Sequence, residues 1–484
     1  MAEDTPVPPS AATADAAADP REGAIRDGVV SDFSATVAEL SRLVRIPSVS
    51  WDAFDPAHVR TSAEAVAALV ESTGLFESVT ISSAPLGDAG EAHGQPAVLA
   101  RRPAAPGHPT VLLYAHHDVQ PPGADEAWET PPFEPTVRGD RLYGRGASDD
   151  KAGVVSHVAA LRAVREVLGD DLGVGIALFV EGEEEFGSRS FGSFLRQHHD
   201  DLAADVIVVA DSDNWSTTVP ALTVSLRGNV TFRLTVRTLA HASHSGMLGG
   251  VVPDAMLAMV RLLATLHGPD GSVAVEGLTS READHPDRSE AQLREESGLL
   301  EGVTPVGHGP LLSRTWSQPT VTVTGIDAPS VAEASNTLLP EVSVRISARV
   351  APGQTAAAAY DALEAHLRAH APFGAHVEIT DVDRGDPFLV DTSGWAVAEA
   401  TAAMAEAWGA EPVQTGIGGS IPFVADLVDA FPEAQILVTG VEDPDTRAHS
   451  PNESQHLGVL RRAILSEALL LARLDARGRQ GGPA

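Results

Sequence analysis

The sequence predicts an α/β protein, a mixed and mostly parallel sheet flanked by helices, with an inserted α+β domain of the split βαβ sandwich type. In the first half of the chain, short apolar runs rich in β-branched residues alternate with segments of helical spacing. Such runs are typical of strands buried on both faces of a sheet. In the middle of the chain the predicted elements follow the order β-α-β-β-α-β. A chain of 484 residues exceeds one compact core, so two unequal domains are expected.

Polar clusters follow the predicted strands in the first and last thirds of the chain. These strands span Val111–Tyr114, Val174–Val180, Val206–Ala210 and Gln435–Thr439. The helical patterns beside them cover Thr61–Thr73, Gly153–Leu168, Phe191–His198 and Ser393–Trp408. Because ligands of open α/β sheets bind beyond the carboxyl ends of the strands, the polar clusters at these ends are the first candidates for a functional site.

The middle of the chain predicts an inserted domain over residues 227–386. One long strand, Leu222–Val236, opens it, and an acidic, glycine-rich stretch, Asp270–Leu311, interrupts it. That stretch is expected to be a long surface excursion or a loop that contacts a partner. The other predicted elements are Asp254–Leu266, Thr320–Thr324, Glu341–Val350, Thr355–His370 and His376–Thr380. Residues 26–226 and 387–476 form the predicted discontinuous catalytic domain, residues 1–25 a disordered tail and residues 477–484 a flexible tail.

Composition narrows the functional classes. The absence of cysteine excludes disulfides and thiolate-bound zinc, and it is typical of a cytoplasmic protein. The formal net charge of −34 argues against binding to nucleic acid, because a phosphate backbone would be repelled. No apolar run approaches the roughly 18 residues that span a bilayer, and the acidic, Ala/Pro-rich start does not resemble a signal peptide. We therefore expect a cytoplasmic protein with neither nucleic-acid nor membrane partners.

Five potential metal ligands are scattered over more than three hundred residues at or near the ends of apolar segments. They are His116, Asp149, Glu185, Asp211 and His449. Each has an acid beside or near it that could orient it or act as a base. Because the chain has no thiolate, the ligand set consists of oxygen and nitrogen atoms, and it predicts a two-metal hydrolase.

Two of the clusters also have plainer explanations. Asp118 would share a strand face with His116 and could orient its imidazole, but both could simply be polar residues that end a strand. Asp149 and Asp150 precede a predicted helix, and either could serve as its N-cap. A single carboxylate could instead bridge two cations with its two oxygens.

The acidic clusters leave two further alternatives open. Glu183–Glu185 is a run of adjacent carboxylates, which repel one another unless cations offset the charge. It is either an exposed acidic loop or a ligand beside a general base at the end of a buried strand. Asp211 directly ends the next strand and is the preferred ligand there, and Asp213 is the fallback.

Three segments of the first half of the chain stand out as motifs: YAHHDVQP at residues 114–121, GRGASDDK at 144–151 and EGEEEFGS at 181–188. Together they resemble the motifs of the dinuclear zinc peptidase family, which includes carnosinase and non-specific dipeptidase, aminoacylase, acetylornithine deacetylase and succinyl-diaminopimelate desuccinylase. The resemblance extends from about Val30 to Arg473 and is greatest to the dipeptidase branch. His117 departs from the pattern, because the dipeptidases usually have Tyr there.

The resemblance implies a role for each residue at the metal centre. His116 and Asp211 would bind one zinc ion, Glu185 and His449 would bind the other, and Asp149 would bridge both. Glu184 would be the general base, and Asp118 would orient His116. Mn²⁺ and Co²⁺ are also feasible ions for such ligands.

The resemblance also implies a substrate site and a homodimer. His244 would reach the active site of a neighbouring subunit in a homodimer formed through the inserted domain, and it would polarise the scissile carbonyl. Asn336 and Arg349 would bind the substrate. The loop over residues 416–422, with Gly419 and Ser420, would hold the terminal carboxylate of the substrate.

Together these observations predict metal-dependent hydrolysis of the peptide bond in dipeptides or small peptides. The alternative is an N-acyl amino acid deacylase of the aminoacylase, deacetylase or desuccinylase type, which would use the same site on a different acyl group. A third reading is a catalytically inactive binding or scaffold protein on the same fold. Intact Glu184 and a full ligand set argue against that third reading.

Overall fold

The computed structural model describes residues 19–87, 92–283, 285–419 and 422–480. Among these residues, no helix combines the length and the apolar character needed to cross a bilayer. The α-helices are, from α1 to α13, Pro20–Val44, Pro56–Glu71, Lys151–Leu168, Phe191–Gln197, His199–Leu202, Ser245–Leu248, Ala255–Leu263, Glu290–Ser297, Leu311–Trp316, Ala356–Ala369, Trp395–Trp408, Pro422–Ala430 and Leu457–Arg479.

The strands of the described residues form two large sheets and two small ones. From β1 to β18 they are Val79–Ser82, Ala97–Arg102, Thr110–His116, Thr136–Arg138, Arg141–Tyr143, Gly175–Glu181, Val206–Val209, Ala221–Leu226, Gly228–Arg237, Ser243–His244, Thr320–Asp327, Thr337–Leu338, Glu341–Val350, His376–Gly385, Phe388–Leu389, Val413–Ile417, Gln435–Thr439 and Ser454–His456.

The larger sheet, called the first sheet here, has the order β1-β2-β6-β3-β7-β17-β8-β15, and β16 also pairs with β8. Its centre is parallel, because β6, β3, β7 and β17 run in one direction. Antiparallel pairs extend the sheet on both sides, through β2 and β1 next to β6 and through β8 and β15 next to β17. The predicted fold class, a mixed and mostly parallel sheet flanked by helices, is therefore confirmed.

Alternate residues of the central strands point into two separate cores. Val111, Leu113 and Ala115 of β3 pack in one core with apolar residues of α1, α3, α11 and α13. Leu112 and Tyr114 pack in the other with phenylalanines of α4 and α12. Burial on both faces explains why these strands are continuous apolar runs, and the side chains at their ends are the first that can be polar.

The smaller of the two large sheets, called the second sheet, has the order β11-β13-β9-β14 and is antiparallel throughout. Helices α7 and α10 pack on it. The predicted single strand Leu222–Val236 was wrong, because the chain forms β8 in the first sheet and β9 in the second, with Arg227 between them. The apolar alternation continues across Arg227 because both strands are largely buried, each in its own sheet.

The ends of the described chain are more regular than the sequence indicates. Helix α1 begins at Pro20, inside the segment predicted as a disordered tail, because Asp19 caps it and Ile25 is fully buried. Helix α13 likewise continues to Arg479, inside the predicted flexible tail. Residues 1–18 and 481–484 lie outside the described residues. The division into a catalytic and an inserted domain remains a prediction.

Candidate active site

Three parallel strands bring the predicted ligands to one edge of the first sheet. Strand β3 ends at His116, and its register places His116 opposite Glu181 at the end of β6. The chain then forms a 3₁₀ turn over residues 184–186. Strand β7 ends two residues before Asp211. Since the carboxyl ends of neighbouring parallel strands meet at one edge, residues far apart in sequence become neighbours.

One cluster of ligand atoms is centred on the His116 imidazole. Its Nε2 lies 3.1 Å from Oδ1 of Asp149 and 4.0 Å from Oδ1 of Asp211. The imidazole is fully buried. Its Nδ1 lies 3.2 Å from the Asp118 carbonyl oxygen and 3.4 Å from Oδ1 of the Asp118 carboxylate. These contacts direct Nε2 towards the carboxylates and are those expected of a metal-binding imidazole.

A second cluster lies on the other side of Asp149. Nε2 of His449 lies 2.9 Å from Oδ2 of Asp149 and 3.1 Å from Oε2 of Glu185. His449 has a left-handed backbone, with φ of 60°, in the loop before β18. Gln120 fixes Glu185, because its backbone N–H and its Nε2 donate to the two carboxylate oxygens at 3.1 and 2.7 Å. Asp149 therefore presents one oxygen to each histidine.

Asp118 connects His116 to the acidic turn. Its carboxylate accepts hydrogen bonds from the backbone N–H groups of Glu184 and Glu185, each at 3.1 Å, and from the Ser50 hydroxyl at 2.7 Å. A fully buried carboxylate with this many donors holds both the imidazole and the turn in place. The sequence indicates the contact with His116 but contains no signal for the contacts with the turn.

The three adjacent glutamates occupy different environments. Glu183 is buried and accepts hydrogen bonds from the backbone N–H groups of Ser190 and Gln95 at 2.8 and 3.2 Å, and it pairs with Arg189. Glu185 lies in the His449 cluster. Glu184 belongs to neither candidate ligand triad, and its Oε2 lies 3.9 Å from Nε2 of His116. The alternative of an exposed acidic loop therefore does not hold for this segment.

The carboxylates of the site are crowded and buried, and this shifts their pKa values. Burial and, to a smaller extent, the charge of Asp149 raise the pKa of Glu185 to about 7 and that of Asp211 to about 6. Burial also holds the pKa of Glu184 well above its usual range. In contrast, hydrogen bonds to Asp149 and Glu185 raise the pKa of His449 to about 11. The site therefore favours added positive charge, as expected of a cation site.

The donor sets fit divalent metal ions. Single ligand atoms of His116, Asp150 and Asp211 lie within 4.8 Å of one another, as do those of Asp149, Glu185 and His449. Each set combines one imidazole with two carboxylates, a mixture that suits Zn²⁺, Mn²⁺ or Co²⁺. Asp150 is the one member that the sequence-based ligand set lacks. Its carboxylate also accepts hydrogen bonds from the N–H of His116 at 3.1 Å and the N–H of Gly153 at 3.2 Å.

The two alternative ligands at the end of β7 have different neighbours. Asp211 reaches the His116 cluster, whereas Asp213 forms a parallel bridge to Glu442 and its carboxyl group hydrogen-bonds to that of Glu442. This placement favours Asp211.

One further residue near the centre had no assigned role in the sequence. Glu453 is fully buried and accepts hydrogen bonds from the N–H groups of Gly146, Ser148 and Asp149 and from Arg145, at 2.6 to 3.1 Å. It holds the Gly144–Asp149 turn that presents Asp149. The sequence does not predict this role, because Glu453 is close to the glycine-rich motif in space but about three hundred residues from it along the chain.

The predicted substrate-binding residues lie apart from the metal centre in the chain and in the sheets. His244 is exposed on the short strand β10, and its Nδ1 accepts a hydrogen bond from the Gly246 N–H at 3.0 Å. Asn336 is exposed, and its carbonyl accepts from Ser245 at 2.9 Å. Arg349 is half-buried on β13. Gly419 follows β16, and Ser420 lies outside the described residues.

The chain is similar in sequence and in fold to known proteins. The sequence model of a family described as "Peptidase family M20/M25/M40" matches residues 112–473. A cysteinylglycine-S-conjugate dipeptidase of Corynebacterium striatum is 35% identical over 370 residues, 75% of this chain and 80% of the relative. A Cys-Gly metallodipeptidase of Schizosaccharomyces pombe is 28% identical over 443 residues, 87% and 91% of the two chains. The crystal structure of human carnosine dipeptidase 1 superposes with a TM-score of 0.72 at 23% identity, over 94% of this chain and 99% of that one.

Proposed function

Because the chain belongs to peptidase family M20/M25/M40, we propose that it hydrolyses the peptide bond of dipeptides with the help of two divalent metal ions. The arrangement of Asp149 carries this proposal, since each of its oxygens faces a separate histidine, His116 and His449. The relatives named as dipeptidases support the substrate class.

The proposed ligands follow from the two clusters. His116 and Asp211 would hold one ion, Glu185 and His449 the other, and Asp149 both. When bound, the ions would supply Lewis acidity that lowers the pKa of the attacking water and polarises the scissile carbonyl. Zn²⁺ is the proposed ion, and Mn²⁺ and Co²⁺ are the alternatives.

Glu184 is the proposed general base. It lies beside His116 without belonging to a ligand triad, so its carboxylate is available to accept the proton of the attacking water. The same carboxyl group would then give the proton to the leaving amine. Its side chain is 20% exposed, which leaves a path to the substrate. Asp118 keeps the turn and the imidazole in register for this transfer.

A substrate panel tests the proposed activity. Metal-free protein reconstituted with Zn²⁺, Mn²⁺ or Co²⁺ should hydrolyse dipeptides, and a chelator should abolish the activity. N-acetyl and N-succinyl amino acids in the same panel represent the alternative, an N-acyl amino acid deacylase. Preference for these acyl substrates would replace the dipeptidase assignment, and the absence of all amide hydrolysis by metal-loaded protein would favour an inactive scaffold.

Asp211→Asn should remove one of the two metal ions and most of the activity, whereas Asp213→Asn should retain both. The reason is that Asp211 reaches the His116 cluster and Asp213 pairs with Glu442. Metal content per chain, measured by elemental analysis after dialysis, distinguishes the two variants. A loss of metal from Asp213→Asn alone would move the ligand assignment to Asp213.

We propose that the protein is a homodimer formed through the predicted inserted domain, residues 227–386. The segment between β9 and β11 carries exposed apolar side chains: Met247 on α6 at 81% exposure, Val251 just after α6 at 86%, and also Leu257 and Val260 on α7. Contiguous exposed apolar residues are typical of interaction sites. His244 lies on the same part of the chain, exposed and without a hydrogen bond from Nε2 among the described residues. We assign it to the active site of the neighbouring subunit, where it would stabilise the oxyanion.

His244→Ala should lower turnover by roughly 10²–10³-fold, the usual effect of removing one oxyanion donor. If His244 acts in the neighbouring subunit, mixing it with Glu184→Gln should restore activity, because the mixed dimer has one complete site. Random mixing of the two inactive variants would return about a quarter of the wild-type rate. No recovery after verified subunit exchange would contradict action between subunits.

The proposed partners are therefore a small peptide and a second copy of the chain, without nucleic acid or membrane. The cytoplasmic location expected from composition remains a prediction, which fractionation of the source cells tests.

A further inference from the structure

His157 is a fully buried histidine on α3 that has no role in the proposed mechanism. Its Nδ1 lies 2.9 Å from each carboxylate oxygen of Glu467 on α13. Its Nε2 lies 2.9 Å from the carbonyl oxygen of Tyr114 on β3. A carbonyl oxygen can only accept a hydrogen bond, so Nε2 carries a proton and donates it to this bond. His157 therefore links α13, α3 and β3 in the interior of the protein.

The carbonyl oxygen of Tyr114 connects the two strands that lead to the His116 cluster. It also accepts a hydrogen bond from the backbone N–H of Ala210 at 3.1 Å. Tyr114 is two residues before His116, and Ala210 is directly before Asp211. His116 and Asp211 are candidate ligands of the same cluster. The imidazole of His157 thus bonds to the oxygen at which the approaches to both ligands meet.

Helix α3 packs directly against this junction. It begins after Asp150, whose carboxylate accepts a hydrogen bond from the His116 N–H at 3.1 Å. A Cβ atom at Gly153 would lie 2.7 Å from the Ala210 carbonyl oxygen, so the helix touches the residue that follows β7. His157 is four residues after Gly153 and lies on the same face of the helix. Helix α3 therefore holds β3 at two points, through Asp150 and, about two turns later, through His157.

Glu467 fixes the orientation of the His157 ring. It is only 7% exposed, and both of its carboxylate oxygens face Nδ1. Burial opposes a positive charge on the ring, but the charge of Glu467 and hydrogen bonds to Glu467 and Tyr114 outweigh burial and raise the pKa of His157. A carboxylate on one nitrogen of an imidazole directs the other nitrogen to its partner. Glu467 thus keeps Nε2 directed at the Tyr114 carbonyl.

We propose that His157 is a positioning residue for the divalent cation of the His116 cluster. It acts through the backbone, because its hydrogen bond to Tyr114 holds the end of β3 against the residue that follows β7. This fixes His116 relative to Asp211, whose Oδ1 lies 4.0 Å from the imidazole Nε2. Ligands that are held in place before the ion arrives bind it more tightly. The inference rests on the proposed function, which assigns a cation to this cluster.

Two amide substitutions separate the two hydrogen bonds of the ring. The amide nitrogen of glutamine reaches the position of Nε2, so His157→Gln keeps a donor for Tyr114. The amide nitrogen of asparagine reaches only the position of Nδ1, so His157→Asn keeps a donor for Glu467 and loses the bond to Tyr114. Competition with a chelator, followed by the Zn²⁺ content per chain, measures the affinity for the ions. His157→Asn should bind one ion roughly 10–100-fold more weakly than the wild-type protein, and His157→Gln should stay within about 3-fold.

His366→Gln is the matched control. His366 is also a buried histidine on a helix, α10, and its Nε2 lies 2.9 Å from the Thr265 hydroxyl. This helix packs on the second sheet, so the variant should leave the affinity for both ions unchanged. Equal affinities of His157→Asn and His157→Gln, or a weaker affinity of His157→Gln, would mean that the bond to Tyr114 does not position the ligands, and would overturn the inference.

Both substitutions leave the buried carboxylate of Glu467 without its charged partner, which destabilises the fold. The comparison is therefore repeated with Glu467→Gln added to each variant, since this change removes the unpaired charge. The order of the affinities should remain the same, because it depends on the donor for Tyr114. Loss of the difference in this background would also overturn the inference.

The binding measurement needs no substrate, which separates this inference from the proposed function. A protein that hydrolyses no dipeptide but binds Zn²⁺ more weakly as His157→Asn than as His157→Gln would contradict the peptidase assignment alone. A dipeptidase in which these two variants bind Zn²⁺ equally well would contradict the role of His157 alone.

Discussion

Glu184→Gln should lower kcat by about 10²–10⁴-fold while the protein retains its full complement of metal. The substitution keeps the size of the side chain and removes its ability to carry a proton. Because Glu184 belongs to neither ligand triad and lies 3.9 Å from His116, the metal centre should form without it. The measurement is steady-state turnover of a dipeptide together with metal analysis of the same sample.

Glu183→Gln is the matched control, because it changes the adjacent residue in the same way. The Glu183 carboxylate accepts hydrogen bonds from two backbone N–H groups and pairs with Arg189, so its role is structural. The variant should lose about 1.5–3 kcal/mol of stability, as hydrogen bonds to a buried charge weaken, and turnover should change far less than in Glu184→Gln. Wild-type turnover by metal-loaded Glu184→Gln would disprove the assignment of the base.

The sheet could be predicted wherever burial on both faces left a continuous apolar run. For this reason the sequence predicted the strands Val111–Tyr114 and Gln435–Thr439. The structure extends the first to Thr110–His116 and gives the second the same bounds. The change of sheet at Arg227 could not be predicted, because the apolar alternation of β8 and β9 is uninterrupted there. The two strands differ in their hydrogen-bond partners, which come from distant segments: β8 pairs with strands of the first sheet and β9 with strands of the second.

The candidate site shows the same division between local and distant information. His116 and Glu185 could be predicted as candidate ligands from their position after apolar runs, and the parallel register of β3 and β6 places the ends of both runs at one edge of the sheet. The support from Glu453 and Gln120 could not be found, because a hydrogen bond between residues 65 or more apart in sequence leaves no periodic pattern. Sequence motifs indicate the candidate ligands, and tertiary contacts show which residues hold them in place.

Asp149→Asn should cost the protein both metal ions, since Asp149 is the carboxylate that, among the described residues, contacts the histidines of both clusters. Its Oδ1 lies 3.1 Å from His116 and its Oδ2 lies 2.9 Å from His449. An amide offers one neutral oxygen in place of two charged ones, so both ligand sets lose a carboxylate oxygen and the negative charge that offsets the ions. Metal content after dialysis should fall from two ions per chain to near zero, and activity should disappear with it.

Asp150→Asn decides whether Asp149 or its neighbour is the bridging ligand. Asp150 lies in the His116 cluster, but its carboxylate caps α3 through Gly153 and accepts the backbone N–H of His116. An asparagine keeps one acceptor oxygen for these backbone donors, so this variant should lose about 1 kcal/mol of stability and keep both ions. Loss of both ions from Asp150→Asn with retention in Asp149→Asn would reverse the two roles. A loss of one ion from each variant would mean that the two aspartates divide the cations between them, and the bridge would then be formed by neither.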